Sequence, residues 1–108
     1  MDRKRIKVIM PYLKKVKKEF NPDKVILFGS RARGDFQKDS DYDLLIVAKK
    51  FKGINIYERS VAAYHLKRNV PVAMDILCLT PEEFEKRKKQ IGIIQEADKE
   101  GVTLIWVP

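Results

Sequence analysis

The residues best suited to chemistry are three aspartates, the first two of which are Asp41 and Asp43. These two lie two positions apart in a predicted strand, so both side chains project from the same face. Two carboxylates about 4 Å apart repel each other by about 4 kcal/mol at an effective dielectric constant near 20. Either a positive group lies between them or one of them takes up a proton. Arg31 or Arg33 could supply the charge, but oxygen ligands of this kind suit Mg²⁺ or Mn²⁺.

The third aspartate, Asp75, lies within the otherwise apolar segment 72–79 (VAMDILCL). An isolated ionised carboxylate buried among such neighbours costs several kcal/mol. We therefore expect Asp75 to contact a cation or a strong hydrogen-bond donor. If its strand lies beside the strand of Asp43, the carboxylates of Asp41, Asp43 and Asp75 converge on one point.

The dipeptide Gly29-Ser30 follows the short apolar segment 24–28 (KVILF) and could bind phosphate. A glycine after a strand allows the backbone to approach a ligand closely. Ser30 at a helix start offers a hydroxyl beside unpaired N–H groups, and Arg31 and Arg33 can neutralise a polyphosphate. A phosphate-binding segment that faces a carboxylate metal site is suited to phosphoryl or nucleotidyl transfer.

Each of these features also has an ordinary structural explanation when it is taken alone. A Gly-Ser pair after a strand is usually a turn, and an Asp-x-Asp pair is often solvated. Arg31 and Arg33 could pair with Asp35 and Asp39, and a strand aspartate is more often salt-bridged than bound to metal. The joint occurrence of the features, in this order and on suitable elements, favours the functional interpretation.

The elements that must position these residues alternate between strands and helices. Apolar periodicity and turn signals predict strands over 24–28, 41–47, 72–79 and 102–107 and helices over 2–20, 30–33, 55–67 and 81–99. Pro11 predicts a kink or a late start in the first helix, Ser30 a cap on the second, and Thr80 with Glu83 a capping box on the last. The alternation predicts an α/β (α+β) fold, a small sheet covered by helices on both faces.

Composition narrows the functional classes. The 108 residues predict a single domain over 1–108, and a hydrophobic share of 44% excludes a disordered tail. No apolar run approaches the roughly 20 residues of a membrane helix, and no signal-peptide core follows the basic N-terminus. The single Cys78 and the single His65 exclude an internal disulfide and a zinc cluster, and we expect both to have packing roles. A cytoplasmic location fits these features.

The net charge of +8 could attract nucleic acid, nucleotide phosphates or an acidic partner. Basic residues crowd positions 3–18 and recur at 86–89, but acids such as Glu82, Glu83, Glu85 and Glu96 lie among the later ones. This mixture favours a solvated surface for most of these side chains.

The acidic and glycine motifs together resemble a known signature. Gly29-Ser30 and Asp41-x-Asp43 are separated by ten residues, a spacing similar to that of the polymerase-β-type nucleotidyltransferase superfamily. The flanking segments 28–34 (FGSRARG) and 40–44 (SDYDL) resemble its small branch, the minimal nucleotidyltransferases, and Asp75 matches the third acidic residue. The resemblance implies a mixed sheet flanked by helices.

The same resemblance implies roles for the residues. Asp41, Asp43 and Asp75 would hold two Mg²⁺ ions, with Mn²⁺ as an alternative metal. Gly29 and Ser30 would bind the nucleoside triphosphate, with help from Arg31 or Arg33. Asp75 would help to deprotonate the acceptor hydroxyl. Larger relatives have further domains for the base and the acceptor, so a partner or a second copy of the chain would complete the site.

Minimal nucleotidyltransferases of this kind are paired with HEPN-domain proteins in toxin–antitoxin modules. The resemblance therefore implies an antitoxin that transfers AMP from ATP to a tyrosine of a HEPN ribonuclease. One alternative is a non-enzymatic antitoxin that acts by binding alone, which would predict a broken carboxylate set, whereas the set here is intact. Another is a basic nucleic-acid-binding module, but only Tyr12 and Phe20 interleave with the basic residues of the first helix. Modification of its own Tyr42, Tyr57 or Tyr64 is an alternative that no sequence feature supports.

Overall fold

The computed structural model describes residues 6–38 and 40–106. The strands of these two ranges are β1 (Lys24–Phe28), β2 (Tyr42–Val47), β3 (Met74–Leu79) and β4 (Val102–Trp106). The α-helices are α1 (Met10–Phe20), α2 (Gly29–Arg33), α3 (Ile56–Leu66), α4 (Pro81–Arg87) and α5 (Ile93–Glu100), with short 3-10 helices at Lys7–Ile9 and Lys49–Phe51. No helix in the two ranges is long and apolar enough to cross a membrane.

The four strands form one mixed sheet in the order β3-β2-β1-β4. β1 pairs antiparallel with β2 and β4, whereas β2 and β3 run parallel. The strands predicted over 41–47 and 72–79 begin slightly later, at Tyr42 and Met74, and Val107 lies outside the described residues. The predicted mixed α/β fold is confirmed.

Helices cover both faces of the sheet, as the apolar strands predict. On one face, α1 and α3 pack on the sheet through a cluster that includes Tyr12, Val16, Ala63, Leu44 and Ile46. On the other face, α4 and α5 pack through a cluster that includes Phe84, Ile94, Ala97, Phe28 and Leu45. Residues of one strand alternate between the two clusters because successive side chains point to opposite faces.

The first helix starts late, as Pro11 predicts. α1 begins at Met10, and Pro11 lies in its first turn, where the missing N–H costs no intrahelical bond. Residues 2–5 of the predicted helix lie outside the described residues. Asn21 ends the helix in the left-handed conformation, with φ of 44°, and its N–H donates to the carbonyl of Lys17.

The single helix predicted over 81–99 is wrong, because the structure has two. α4 ends at Arg87 and α5 begins at Ile93, after Gly92 with φ of 155° and ψ of −170°, which is backbone that essentially only glycine adopts. The predicted capping box is confirmed at the start of α4. Thr80 Oγ1 accepts from the Glu83 N–H at 3.2 Å, and Glu83 Oε1 accepts from the Thr80 N–H at 2.8 Å.

The buried Arg59 ties α3 to the start of α4. Its guanidinium donates to both carboxylate oxygens of Glu83, at 2.6 and 3.3 Å, and to the carbonyl of Ile54 at 2.7 Å. These acceptors lie along the fixed N–H directions of the guanidinium and satisfy a charge that would otherwise be costly to bury. Cys78, beside Arg59, is buried as expected, and burial raises the pKa of its thiol to about 12. His65 is exposed, so the packing role expected for it is wrong.

Candidate active site

Asp43 and Asp75 lie directly opposite each other on adjacent parallel strands. The β1–β2 register pairs Phe28 with Asp43, so the next residue along the chain, Gly29, comes beside the same carboxylate. Side chains at paired positions of neighbouring strands project from the same face of the sheet. Three predicted site residues therefore meet at one end of the sheet.

Gly29 is required at this point for two independent reasons. Its φ of +72° lies in the left-handed region, where side chains are disfavoured. A Cβ at this position would also collide with Oδ2 of Asp43. The backbone at the start of α2 thus passes directly against the Asp43 carboxylate.

Ser30 follows in the same short helix, where it is half-buried. The prediction that it caps the helix is wrong, because Phe28 occupies the cap position and makes no side-chain cap bond. The chain turns out of α2 at Gly34, whose N–H donates to the carbonyl of Ser30. Ser30 therefore directly follows the residue whose backbone approaches the Asp43 carboxylate.

Asp43 carries an electrostatic penalty in this position. Burial raises the pKa of its carboxyl, and the negative charges of Asp75, Asp41 and Glu96 raise it further. The positive charge of Arg33 acts in the opposite direction without reversing the result. A cation at this site would offset this penalty on the ionised Asp43 carboxylate.

Asp75 is exposed, so the expectation that it is buried among apolar residues is wrong. β3 is an edge strand of the sheet, and Asp75 is its second residue, close to the end at which the strand begins. A donor is present, but its contact is long and is not the strong hydrogen bond that we expected. The hydroxyl of Tyr64 donates to Asp75 Oδ1 at 3.5 Å and accepts from the Ile76 N–H at 3.0 Å.

Asp41 precedes β2 and is exposed. The negative charge of Asp41 contributes to the raised pKa of Asp43, so Asp41 interacts electrostatically with that carboxyl group. Within residues 6–38 and 40–106, no group of three or more His, Cys, Asp or Glu side chains is placed to hold a metal ion. The expected convergence of three carboxylates on one point is thus not formed in the described residues.

Arg31 anchors the loop that leads from α2 to β2. Its Nε and Nη2 donate to the carbonyl of Ser40, at 3.2 and 3.0 Å, and Nη2 also donates to the carbonyl of Lys38 at 3.2 Å. Its guanidinium lies 4.4 Å from the ring centroids of both Phe36 and Tyr42. These contacts hold the loop segment that directly precedes Asp41. Asp39, the other residue considered as a partner of these arginines, lies outside the described residues.

Arg33 lies between the acidic site and α5. Its Nε is 3.2 Å from Asp35 Oδ2 and its Nη1 is 3.4 Å from Glu96 Oε1. The side chain is 41% exposed, and pairs of this kind contribute little to stability. The structural alternative considered for Arg33, an ion pair with Asp35, is therefore present, and the guanidinium remains close enough to act on Asp43.

Comparison with known proteins decides the family. The sequence model of the nucleotidyltransferase domain family matches residues 9–106. The chain belongs to this family. It is a nucleotidyltransferase, an enzyme class whose substrate is a nucleoside triphosphate.

Individual relatives agree with this assignment. A candidate protein adenylyltransferase of Methanocaldococcus jannaschii, MJ0141, is 33% identical over 103 residues, which cover 87% of this chain and 96% of that protein. The crystal structure of a candidate nucleotidyltransferase from Sulfolobus solfataricus superposes with a TM-score of 0.67 at 26% identity, over 94% of this chain and 79% of that one. A toxin–antitoxin structure with AMP-PNP has a TM-score of 0.60 over 89% of this chain and 72% of that one, and at 18% identity it shows a shared fold alone.

The donor set of this nucleotidyltransferase fits the divalent cations that its family generally uses. The candidate ligands are carboxylate oxygens, which Mg²⁺ prefers. Like charges and burial together raise the pKa of Asp43, and a bound cation would relieve both effects. The fit is one of ligand type and charge, since the described residues do not bring the three carboxylates to one point.

Two neighbours of the acidic residues, Tyr64 and Glu96, were not expected from the sequence. Tyr64 was considered only as an acceptor, and its contact with Asp75 depends on how α3 lies on the sheet edge. Glu96 was counted as a surface charge, yet α5 brings it close enough to act on Asp43. No local sequence signal identifies either contact, because both join elements that are distant along the chain.

Proposed function

We propose that this nucleotidyltransferase transfers AMP from ATP to a tyrosine hydroxyl of a HEPN ribonuclease and so acts as the antitoxin of that toxin. The observation that carries the proposal is the pairing of Asp43 with Asp75 beside Gly29. An acidic pair adjoining a backbone turn free of a side chain can receive both a metal and a triphosphate.

Within this proposal, Gly29 and Ser30 bind the triphosphate, while Asp41, Asp43 and Asp75 hold two Mg²⁺ ions, for which Mn²⁺ can substitute. The ions neutralise the phosphates and activate the acceptor hydroxyl when they are bound. Arg33, half-exposed beside Asp43, supplies further positive charge for the phosphates. Arg31 contributes chiefly by holding the loop before β2, since three of its hydrogen bonds go to loop carbonyls.

Asp75 is the group proposed to accept the proton from the acceptor hydroxyl. Its position on an edge strand supports a protein acceptor, because a side chain from outside can reach an exposed carboxylate at a sheet edge. The tyrosine of the partner would then meet the triphosphate from the solvent side. This arrangement would allow a partner, or a second copy of the chain, to complete the site.

Two similarities support the proposed acceptor and partner. The similarity to a candidate protein adenylyltransferase favours transfer of AMP to protein. The resemblance of the segments 28–34 and 40–44 to minimal nucleotidyltransferases favours a HEPN partner. The toxin–antitoxin structure shares the fold and adds no support on the identity of the partner.

An Asp75→Asn variant tests the proposal. The variant should keep most ATP binding and still dock on the HEPN partner, but it should transfer no AMP. Intact-mass spectrometry of the partner after incubation with ATP and Mg²⁺ gives the readout. Asp98→Asn, which removes an exposed carboxylate on α5, is the matched control and should behave as the wild type.

The same assay distinguishes the binding-only alternative. The wild-type chain should add AMP to the partner and suppress its ribonuclease activity. Asp75→Asn should add no AMP and should leave the ribonuclease active. If the wild type suppresses the ribonuclease without adding mass, the transfer proposal fails and inhibition by binding replaces it.

A further inference from the structure

The hydroxyl of Tyr64 lies beside Asp75, the group proposed above to accept a proton from the acceptor. Tyr64 is 40% exposed and its oxygen lies 3.5 Å from Asp75 Oδ1. Tyr42 is buried at 5% exposure, and Tyr57 lies two turns earlier on α3, roughly 10 Å along the helix axis. Among the three tyrosines considered from the sequence, the structure singles out Tyr64.

Two contacts hold the oxygen of Tyr64 beside Asp75. The Ile76 N–H, on the free edge of β3, donates to one lone pair at 3.0 Å. The hydroxyl can donate its proton to Asp75 Oδ1, which lies 3.5 Å away, farther than in a usual O–H···O hydrogen bond. A phenolic oxygen has a second lone pair, and no other bond to this oxygen is present in the described residues. That lone pair is the one a reacting phosphorus would meet.

We propose that Tyr64 is a self-modification site, so that the chain transfers AMP to its own Tyr64 as well as to a partner; this inference rests on the proposed function. Tyr64 Oη forms a bond to the α-phosphorus of ATP, and the bond from that phosphorus to the bridging oxygen of the β-phosphate breaks. Pyrophosphate leaves with the electron pair. The hydroxyl proton passes to Asp75 and from there to solvent. The product oxygen still accepts the Ile76 N–H.

The reaction is intramolecular, because the acceptor and Asp75 belong to one chain. The fraction of chains modified per unit time should therefore not change with protein concentration. A modification between two chains would instead accelerate as the concentration rises.

The experiment incubates the full chain with ATP and Mg²⁺ at several protein concentrations, followed by intact-mass spectrometry and peptide mapping. The wild type should gain one AMP on Tyr64 at a concentration-independent rate. Tyr57→Phe, which removes a more exposed tyrosine hydroxyl from the same helix, should be modified as the wild type is. Tyr64→Phe should gain no AMP while its far-ultraviolet circular dichroism stays that of the folded wild type.

Peptide mapping of the wild type decides the inference without relying on any variant. An adduct on another residue, or a rate that rises with concentration, overturns it. The same reactions with the HEPN partner separate the two claims. A modified partner beside an unmodified chain refutes self-modification and leaves the proposed function standing, whereas absence of AMP from both proteins refutes the proposed function itself.

Discussion

Replacing Asp43 by asparagine should stabilise the metal-free protein at neutral pH. Adjacent strands lie about 4.8 Å apart, so the carboxylates of Asp43 and Asp75 are roughly 5 Å apart. Their repulsion is about 3 kcal/mol at a dielectric constant of 20 and about 0.8 kcal/mol at 80. Because Asp75 is exposed, the lower part of this range applies, and we expect a gain of about 1 kcal/mol. For a domain of this size that raises Tm by about 4 °C.

The pH dependence of this gain follows from the raised pKa of Asp43. The folded protein binds the Asp43 proton more tightly than the unfolded chain, so stability is lost as pH rises from the ordinary value of 3.8 through the raised pKa. The difference in Tm between Asp43→Asn and wild type should be full at pH 7 and shrink as the pH falls toward 3.8. Thermal unfolding in low salt with a chelator measures it, with Asp98→Asn as the control for loss of an exposed carboxylate. A large drop in Tm for Asp43→Asn at pH 7 would refute the repulsion and indicate a structural ion pair, with Arg33 as the partner.

Three other predictions concern the fold and the site. Gly29→Ala should lower the free energy of unfolding in urea by about 2 kcal/mol, because positive φ and the collision with Asp43 are both unfavourable; an unchanged midpoint would contradict the geometry. Arg59→Met should lower the free energy of unfolding by about 2 kcal/mol, which is less than the loss of a fully buried ion pair costs, because the partner Glu83 is 35% exposed. The same variant should return the lowered pKa of Glu83 toward its ordinary value, which NMR titration measures. ATP should bind only with Mg²⁺ or Mn²⁺ because the triphosphate and the aspartates repel each other, and equal calorimetric affinity with and without chelator would disprove a metal site.

The parts of the fold that local patterns determine could be predicted from the sequence. β1 was predicted residue for residue, and Thr80 with Glu83 formed the expected capping box, because a strand bounded by turn residues and a capping motif are both local. The adjacency of Asp43 and Asp75 was predicted conditionally. It required the strand order, which the sequence pattern does not contain.

The errors arose where long-range packing decides the outcome. Asp75 was expected to be buried because its neighbours are apolar, but the order of strands leaves β3 at the sheet edge. The charged segment 85–90 is rich in residues that favour helices, yet α4 ends at Arg87 and α5 begins only at Ile93. Phe84 and Ile94 both pack on the sheet. That residues 1–108 form one domain, and the catalytic roles of the site residues, stay predictions.

The most direct test of nucleotidyl transfer follows the label from ATP. The chain is incubated with Mg²⁺ and the proposed HEPN partner, and the ATP carries labelled phosphorus at either the α or the γ position. Nucleotidyl transfer predicts that the α label becomes covalently bound to protein while the γ label leaves as pyrophosphate, and that Asp43→Asn abolishes the bound label. Protein labelled by the γ position, or labelled equally by wild type and Asp43→Asn, would contradict the assignment of nucleotidyl transfer to this acidic site.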